Sequence, residues 1–329
     1  MTMETPGEQA DLAALLIERL RGEIEATTDR TEQSYLQHEV GVLHERRGEE
    51  PLAARDYLAA YNADSEFREP LQALVRILSR RRSFKNLAKL LDTIAKGAPT
   101  AQERSHALRE LAVVALEQAR TGEPAGQRDE AKALLEEAVA QDPDDSAAWI
   151  ELELLSAADG DAAGVARAIE ARLPLLADAT YKALLYIQLA DLASKTGQHE
   201  RAYEHLDAAA ALEGRARFQT RLVLERVAAN AGDLDALARA LEGQAEIIAE
   251  VLDDPERGEE IGVPKFLRAP ACAADAWLRA AEIRRRLGDI DAASALLAQA
   301  AQRLPTSSTI ARARLAALEA QGQIEAVAQ

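Results

Sequence analysis

The sequence predicts an all-α chain assembled from a recurring helix–turn–helix unit. Two observations predict it. Aromatic residues make up only 4% of the 329 residues, whereas strands are enriched in aromatic and β-branched side chains. A small motif also returns in phase along the chain: Gly, Ala five residues later, an apolar residue four further on, Ala three beyond that, and often Pro five later. It reads Gly126, Ala131, Leu135, Ala138, Pro143, and again Gly288, Ala293, Leu297, Ala300, Pro305. Gly197, Ala202, Leu206, Ala209 and Gly48, Ala53, Tyr57, Ala60 repeat it without the Pro. Looser copies open at Gly160, Gly232 and Gly322, and Arg82 stands where one copy lacks its Gly.

Each part of the motif has a physical task. Gly tolerates the positive φ at which a first helix ends. The Ala at the fifth position lets two helices approach closely. Pro143 and Pro305 stop the second helix. Asp144, Asp145 and Ser146, and then Ser307 and Ser308, are good N-caps for the helix that follows. Upstream of each Gly lies the first helix, with Trp149, Tyr186 or Trp277 eleven residues before Gly160, Gly197 and Gly288. Small residues (Gly41, Ala190, Ala281) sit on that helix. A helix pair of this kind leaves an apolar face that only the next pair covers.

These residues resemble the tetratricopeptide repeat, a 34-residue helix–turn–helix with an aromatic–Leu–small pattern in its first helix and Ala–aromatic–Ala–Pro in its second. The resemblance runs from about residue 34 to 329. It implies a right-handed α-solenoid of about eight units, starting near 34, 68, 104, 146, 183, 218, 274 and 308. Residues 1–10 are expected to be a disordered tail. Residues 11–33 should form an N-terminal cap helix and its connection, with Leu12, Leu15, Leu16, Leu20 and Ile24 on one face. Two insertions interrupt the array, near 121–126 and at 253–270, and long loops are usually functional or flexible. The eighth unit ends early in its second helix, at Gln329. That suggests a fragment of a longer array, end-to-end self-association through Ile310, Leu315 and Leu318, or a frayed end.

Composition excludes several classes. Lys and Arg number 39 against 56 Asp and Glu, so the formal net charge is −17. That disfavours nucleic acid and anionic membranes, both polyanions. One cysteine, Cys272, rules out an internal disulfide, and its alanine-rich neighbourhood reads as inert. No phosphate-binding Gly loop and no HExxH occurs. The paired histidines (His38/His44, His199/His205) are six apart and do not share a helix face. Adjacent carboxylates such as Glu136 and Glu137 diverge on a helix. No catalytic residue, metal site or cofactor is expected. No apolar run is long enough to span a membrane. The acidic start lacks a cationic leader, so a cytoplasmic location is expected.

Two surfaces could meet a partner. In the family that the motif resembles, positions two, five, nine and twelve of each first helix line the concave side. Here they include Ile150 and Leu154, then Leu184, Ile187 and Asp191, then Leu222 and Arg226, then Leu278. Apolar residues with charges among them suggest a groove for a peptide or helix. The alternative is that superhelical packing or the 253–270 segment covers the stripe. The second surface is Arg76, Arg80, Arg81, Arg82, Lys85 and Lys89, six basic residues within 71–91, where no acidic residue occurs. It reads as a solvated turn paired with acidic neighbours, as a patch for an acidic partner, or, least in keeping with its aromatic-poor setting, as a nucleic-acid contact. The Lys/Asn set that resemblance would require for a carboxylate clamp is absent. The expected function is therefore a non-catalytic scaffold or adaptor that binds a protein or peptide partner. The alternative is a regulatory receptor whose superhelix closes on a small peptide or ligand.

Overall fold

The computed structural model describes residues 6–120, 127–212 and 214–321. Among them every regular element is helical. The chain divides into two compact units, one to Leu155 and one from Ser156.

The first unit opens with α1 (Pro6–Ala26). Three helix pairs or parts of pairs follow: α2 (Arg30–Arg46) with α3 (Glu50–Ala63), α4 (Glu69–Arg80) with α5 (Phe84–Lys96), and α6 (Ala101–Arg120) with α7 (Gln127–Gln141). The unit boundary falls inside α8 (Ser146–Ala158). The second unit continues with α9 (Ala162–Arg172), α10 (Ala179–Lys195), α11 (His199–Ala210), α12 (Arg217–Ala231) and α13 (Leu234–Asp253). After a short α14 (Arg257–Glu260) come α15 (Pro270–Arg286), α16 (Ile290–Arg303) and α17 (Ser308–Ala320).

The turns form as the motif requires. Gly48, Gly160, Gly197, Gly232 and Gly288 all have φ between 69 and 83°. At three of them the next residue caps the second helix. Asp161, Asp233 and Asp289 each accept from the backbone N–H three residues on, at 2.9, 2.9 and 3.1 Å. A Gly–Asp pair thus closes one helix and opens the next. Asp145 caps α8 through the N–H groups of Ala147 and Ala148, and Ser307 caps α17. The close-approach alanines are buried: Ala53, Ala131 and Ala202 fully, and Ala293 nearly so. At Gly41 a single added carbon would lie 2.6 Å from the ring of the fully buried Tyr57, so nothing larger than Gly fits there.

The cap differs from expectation. The described part of α1 includes residues 6–10 of the stretch expected to be a disordered tail; residues 1–5 lie outside the described part. The buried side of α1 runs through Ile17, with Leu20 and Ile24 half-buried, while Leu12, Leu15 and Leu16 are exposed. Arg21 pins α1 to the second helix by donating to Nε2 of buried His44 (3.3 Å), whose Nδ1 donates to Glu49 (2.6 Å).

The 253–270 insertion is packed against the second unit. It folds onto the N-terminal end of α12 and joins the core of the second unit. Ile261 and Val263 are 4% and 1% exposed, clustered with Phe218, Ile247, Ile248 and Trp277. Arg268 donates to the Val263 carbonyl at 2.9 Å. Gly262 makes the fold of this segment achievable: its φ is +81°, and a Cβ there would lie 2.0 Å from the Arg215 carbonyl oxygen. The insertion near 121–126 and the second helix of the eighth unit lie outside the described residues. Ile310, expected on an uncovered end face, is fully buried, while Leu315 is 40% exposed.

Candidate interaction surfaces

The expected groove residues sort by environment. In the first unit Ile150 and Leu154 stand four apart on one face of α8, 40% and 64% exposed. In the second unit Leu184 on α10 and Leu222 on α12 are 37% and 38% exposed. Ile187 does not belong with them. It is buried among Ala183, Ala190, Val223 and Val227, because α12 packs against α10 and covers that side of it. Leu278 is half-buried and lines an apolar cleft of about 290 Å³ with Ala281, Leu297, Ala313 and Ala317, between α15, α16 and α17.

The stripe's charges neutralise each other. Arg226 donates to Asp191 Oδ1 at 2.6 Å, and Lys195 lies 2.8 Å from Asp191 Oδ2. Asp191 is therefore doubly paired and Arg226 is engaged, and what α10 and α12 leave for a partner is chiefly apolar. At the rim of the α15–α17 cleft, Arg285 and Arg286 donate to Glu282 at 2.8–2.9 Å and pull its carboxyl down to about 2.

A further surface in the first unit escaped the motif. Leu71, Val75, Leu91 and Ile94 floor a cleft of about 520 Å³ between α4, α5 and α6, with Arg68, Glu103, His106 and Glu110 around it. Arg68 is held there by the Gly97 carbonyl and by Glu103. This repeat lacks the turn Gly, which is why spacing from the motif did not single it out. Beside it, Arg109 bridges Asp145 (3.6 Å) and Glu151 (3.7 Å), and buried Ser105 donates to Asp145 at 2.8 Å. Burial raises the Glu151 carboxyl above its ordinary value, although Arg109 opposes this.

The six basic residues split into two groups. Arg80 donates to Glu45 at 2.8 Å and lies 3.2 Å from Glu50, while Arg76 is 3.5 Å from Glu45. Burial raises the Glu45 carboxyl, but bonds from Tyr57 and Arg80 outweigh it and hold the group below its ordinary value. Arg81, Arg82, Lys85 and Lys89 are exposed.

Two segments match known family models. Residues 111–155, from α6 through α7 into α8, match a tetratricopeptide repeat, and residues 275–307, covering α15 and α16, match another. The chain carries tetratricopeptide repeats. A search of curated protein sequences returns no significant match. Solved structures that are similar include PilF of Pseudomonas aeruginosa, 20% identical, covering 69% of this chain and 97% of that one at a TM-score of 0.34. A tetratricopeptide repeat protein of Parabacteroides merdae is 13% identical and covers 87% of this chain and 99% of its own, at a TM-score of 0.38. YrrB, described as a tetratricopeptide protein with an unusual peptide-binding site, is 17% identical and covers 66% and 92%, at a TM-score of 0.33. The assignment rests on the two repeat matches and on the helix pairs with their Gly turns.

Among the described residues of the tetratricopeptide array, no three His, Cys, Asp or Glu side chains are grouped so as to hold a metal ion. No described helix is long and apolar enough to cross a membrane. Cys272 is half-buried at the edge of the Trp277 core.

Proposed function

We propose that this chain is a non-catalytic interaction scaffold that docks an apolar segment of a partner protein on the first helices of its repeats. The observation that carries this is the exposure of Leu154 and Ile150, successive apolar side chains on one face of α8. Isolated apolar side chains on a surface are ordinary, but a helical row of them is the footprint that a helix or extended segment fills. The α4–α6 cleft supports the same reading in the same unit, and Leu184 and Leu222 support it in the second. A partner side chain entering such a site would lose its apolar surface to protein at roughly 25 cal/mol per Å². The array acts from the cytoplasm in this proposal, and no nucleic acid or membrane takes part.

The test is affinity capture from the source cell with Ile150→Glu and Leu154→Glu together. Both residues are exposed, so the helical spectrum and melting transition should be retained. Recovery of the principal partner should fall about tenfold or more, equivalent to ~1.4 kcal/mol. Undiminished recovery by a folded double variant would exclude α8 from the interface. Ile187 is unsuited to this experiment because its burial would confuse unfolding with lost binding.

A further inference from the structure

We infer that the turn between α4 and α5 anchors an acidic segment of the partner protein. This rests on the scaffold reading and adds to it the chemistry of a second contact. Four cations cluster there, Arg81 and Arg82 on the turn and Lys85 and Lys89 at i and i+4 on α5, all exposed. Among the described residues none of the four has an ion-pair partner. The acids within reach are already used: Glu45 and Glu50 hold Arg76 and Arg80, and Asp92 is 2.7 Å from Lys96.

The arrangement works against the stability of the fold in three ways. Arg82 has φ +51°, the one described non-Gly residue with positive φ, at the position that Gly48, Gly160, Gly197, Gly232 and Gly288 occupy in other turns. Its backbone closes the helix as those glycines do, donating to Ser79 while Ser83 donates to Leu78, both at 3.0 Å. Glycine would therefore serve the turn better, since an L side chain in this region is strained. Lys85 lies in the first turn of α5, where the helix dipole disfavours a cation. Lys85 and Lys89 repel each other along one face. Strain and repulsion held in one place point to a use for the charges themselves. Carboxylates fit that use, because a guanidinium fork pairs with them in bidentate geometry. Nucleic acid fits less well. The adjacent aromatic, Phe84, is half-buried against Leu87 and Leu91, and the chain as a whole carries a net charge of −17.

Fluorescence anisotropy with a short labelled Glu-rich peptide tests this on the full chain. The wild type should bind at low salt and weaken as salt rises. Changing Lys85 and Lys89 together to Gln should weaken binding at least tenfold. Changing exposed Arg312 and Arg314 of α17 to Gln, an equal loss of charge elsewhere, should leave it within about twofold. Arg82→Gly should separate the two roles, raising the melting temperature by about 2–4 °C while weakening the peptide severalfold. Ile150→Glu with Leu154→Glu should keep the peptide affinity, so failure of the apolar docking site and failure of this anchor give different results. The inference is overturned if the wild type does not bind the peptide, if the α17 control loses as much affinity, or if Arg82→Gly leaves affinity unchanged. It is also overturned if a single-stranded oligonucleotide of equal charge binds more tightly than the peptide.

Discussion

Trp277→Ala is expected to destabilise the second unit by about 3–5 kcal/mol, the range for truncating a buried large aromatic. Trp277 is fully buried in a core of the second unit, with Ile247 and Ile248 of α13, Ile261 and Val263 of the insertion, Ala300 of α16 and Ile310 of α17. It thus joins its own helix pair, the preceding repeat, the insertion and the following helix. Removing it opens a cavity that four segments would have to collapse to fill. The indole N–H has no hydrogen-bond partner in this core. Trp277→Phe should therefore cost much less, because it also removes an unsatisfied buried donor, itself a burden of about 1–3 kcal/mol. Denaturant titration followed by far-ultraviolet circular dichroism reads both. A loss below about 1 kcal/mol for the Ala variant would mean that the core does not depend on this residue.

Gly262→Ala should cost about 2–4 kcal/mol, combining ~1 kcal/mol for an L residue at positive φ with 1–3 kcal/mol for overpacking. The added methyl would meet the Arg215 carbonyl oxygen, a backbone atom that cannot swing aside. Lifting the segment would also expose Ile261 and Val263. Gly288→Ala is the control: its φ of +83° is similar, but nothing lies within 4 Å of the added carbon, so only the conformational part, ~1 kcal/mol, should appear. Limited proteolysis should cut residues 254–268 of the Gly262 variant faster than the same stretch of the wild type. Equal costs for the two substitutions would show that the insertion is not locked by close approach at Gly262.

Much of the local architecture was legible because it depends on short spacings. A Gly at the turn, Ala53 or Ala202 where helices touch, and Trp277 eleven residues before Gly288 are all constraints within one helix pair. Contacts set by more distant packing were not legible. Ile187 falls on the stripe by position, yet Val223 and Val227 of the next repeat cover it. The Pro- and Gly-bearing insertion has the composition of an open loop, and nothing in its sequence says that Arg215 leaves room only for Gly262. The six basic residues read as one patch, but Glu45 and Glu50, 30 or more residues before the arginines they pair with, claim Arg76 and Arg80. The α4–α6 cleft is not legible for a different reason. Its repeat carries Arg82 where the motif has Gly, so the spacing does not mark it.

Hydrogen–deuterium exchange of the chain with and without its captured partner tests the docking proposal most directly. Slowed exchange on binding is predicted in the helices that carry the apolar surfaces: α8 around Ile150 and Leu154, with the facing turns of α4 and α6 in the first unit, and α10 and α12 around Leu184 and Leu222 in the second. Protection confined to the second helices of the repeats, with α8 unchanged, would contradict it.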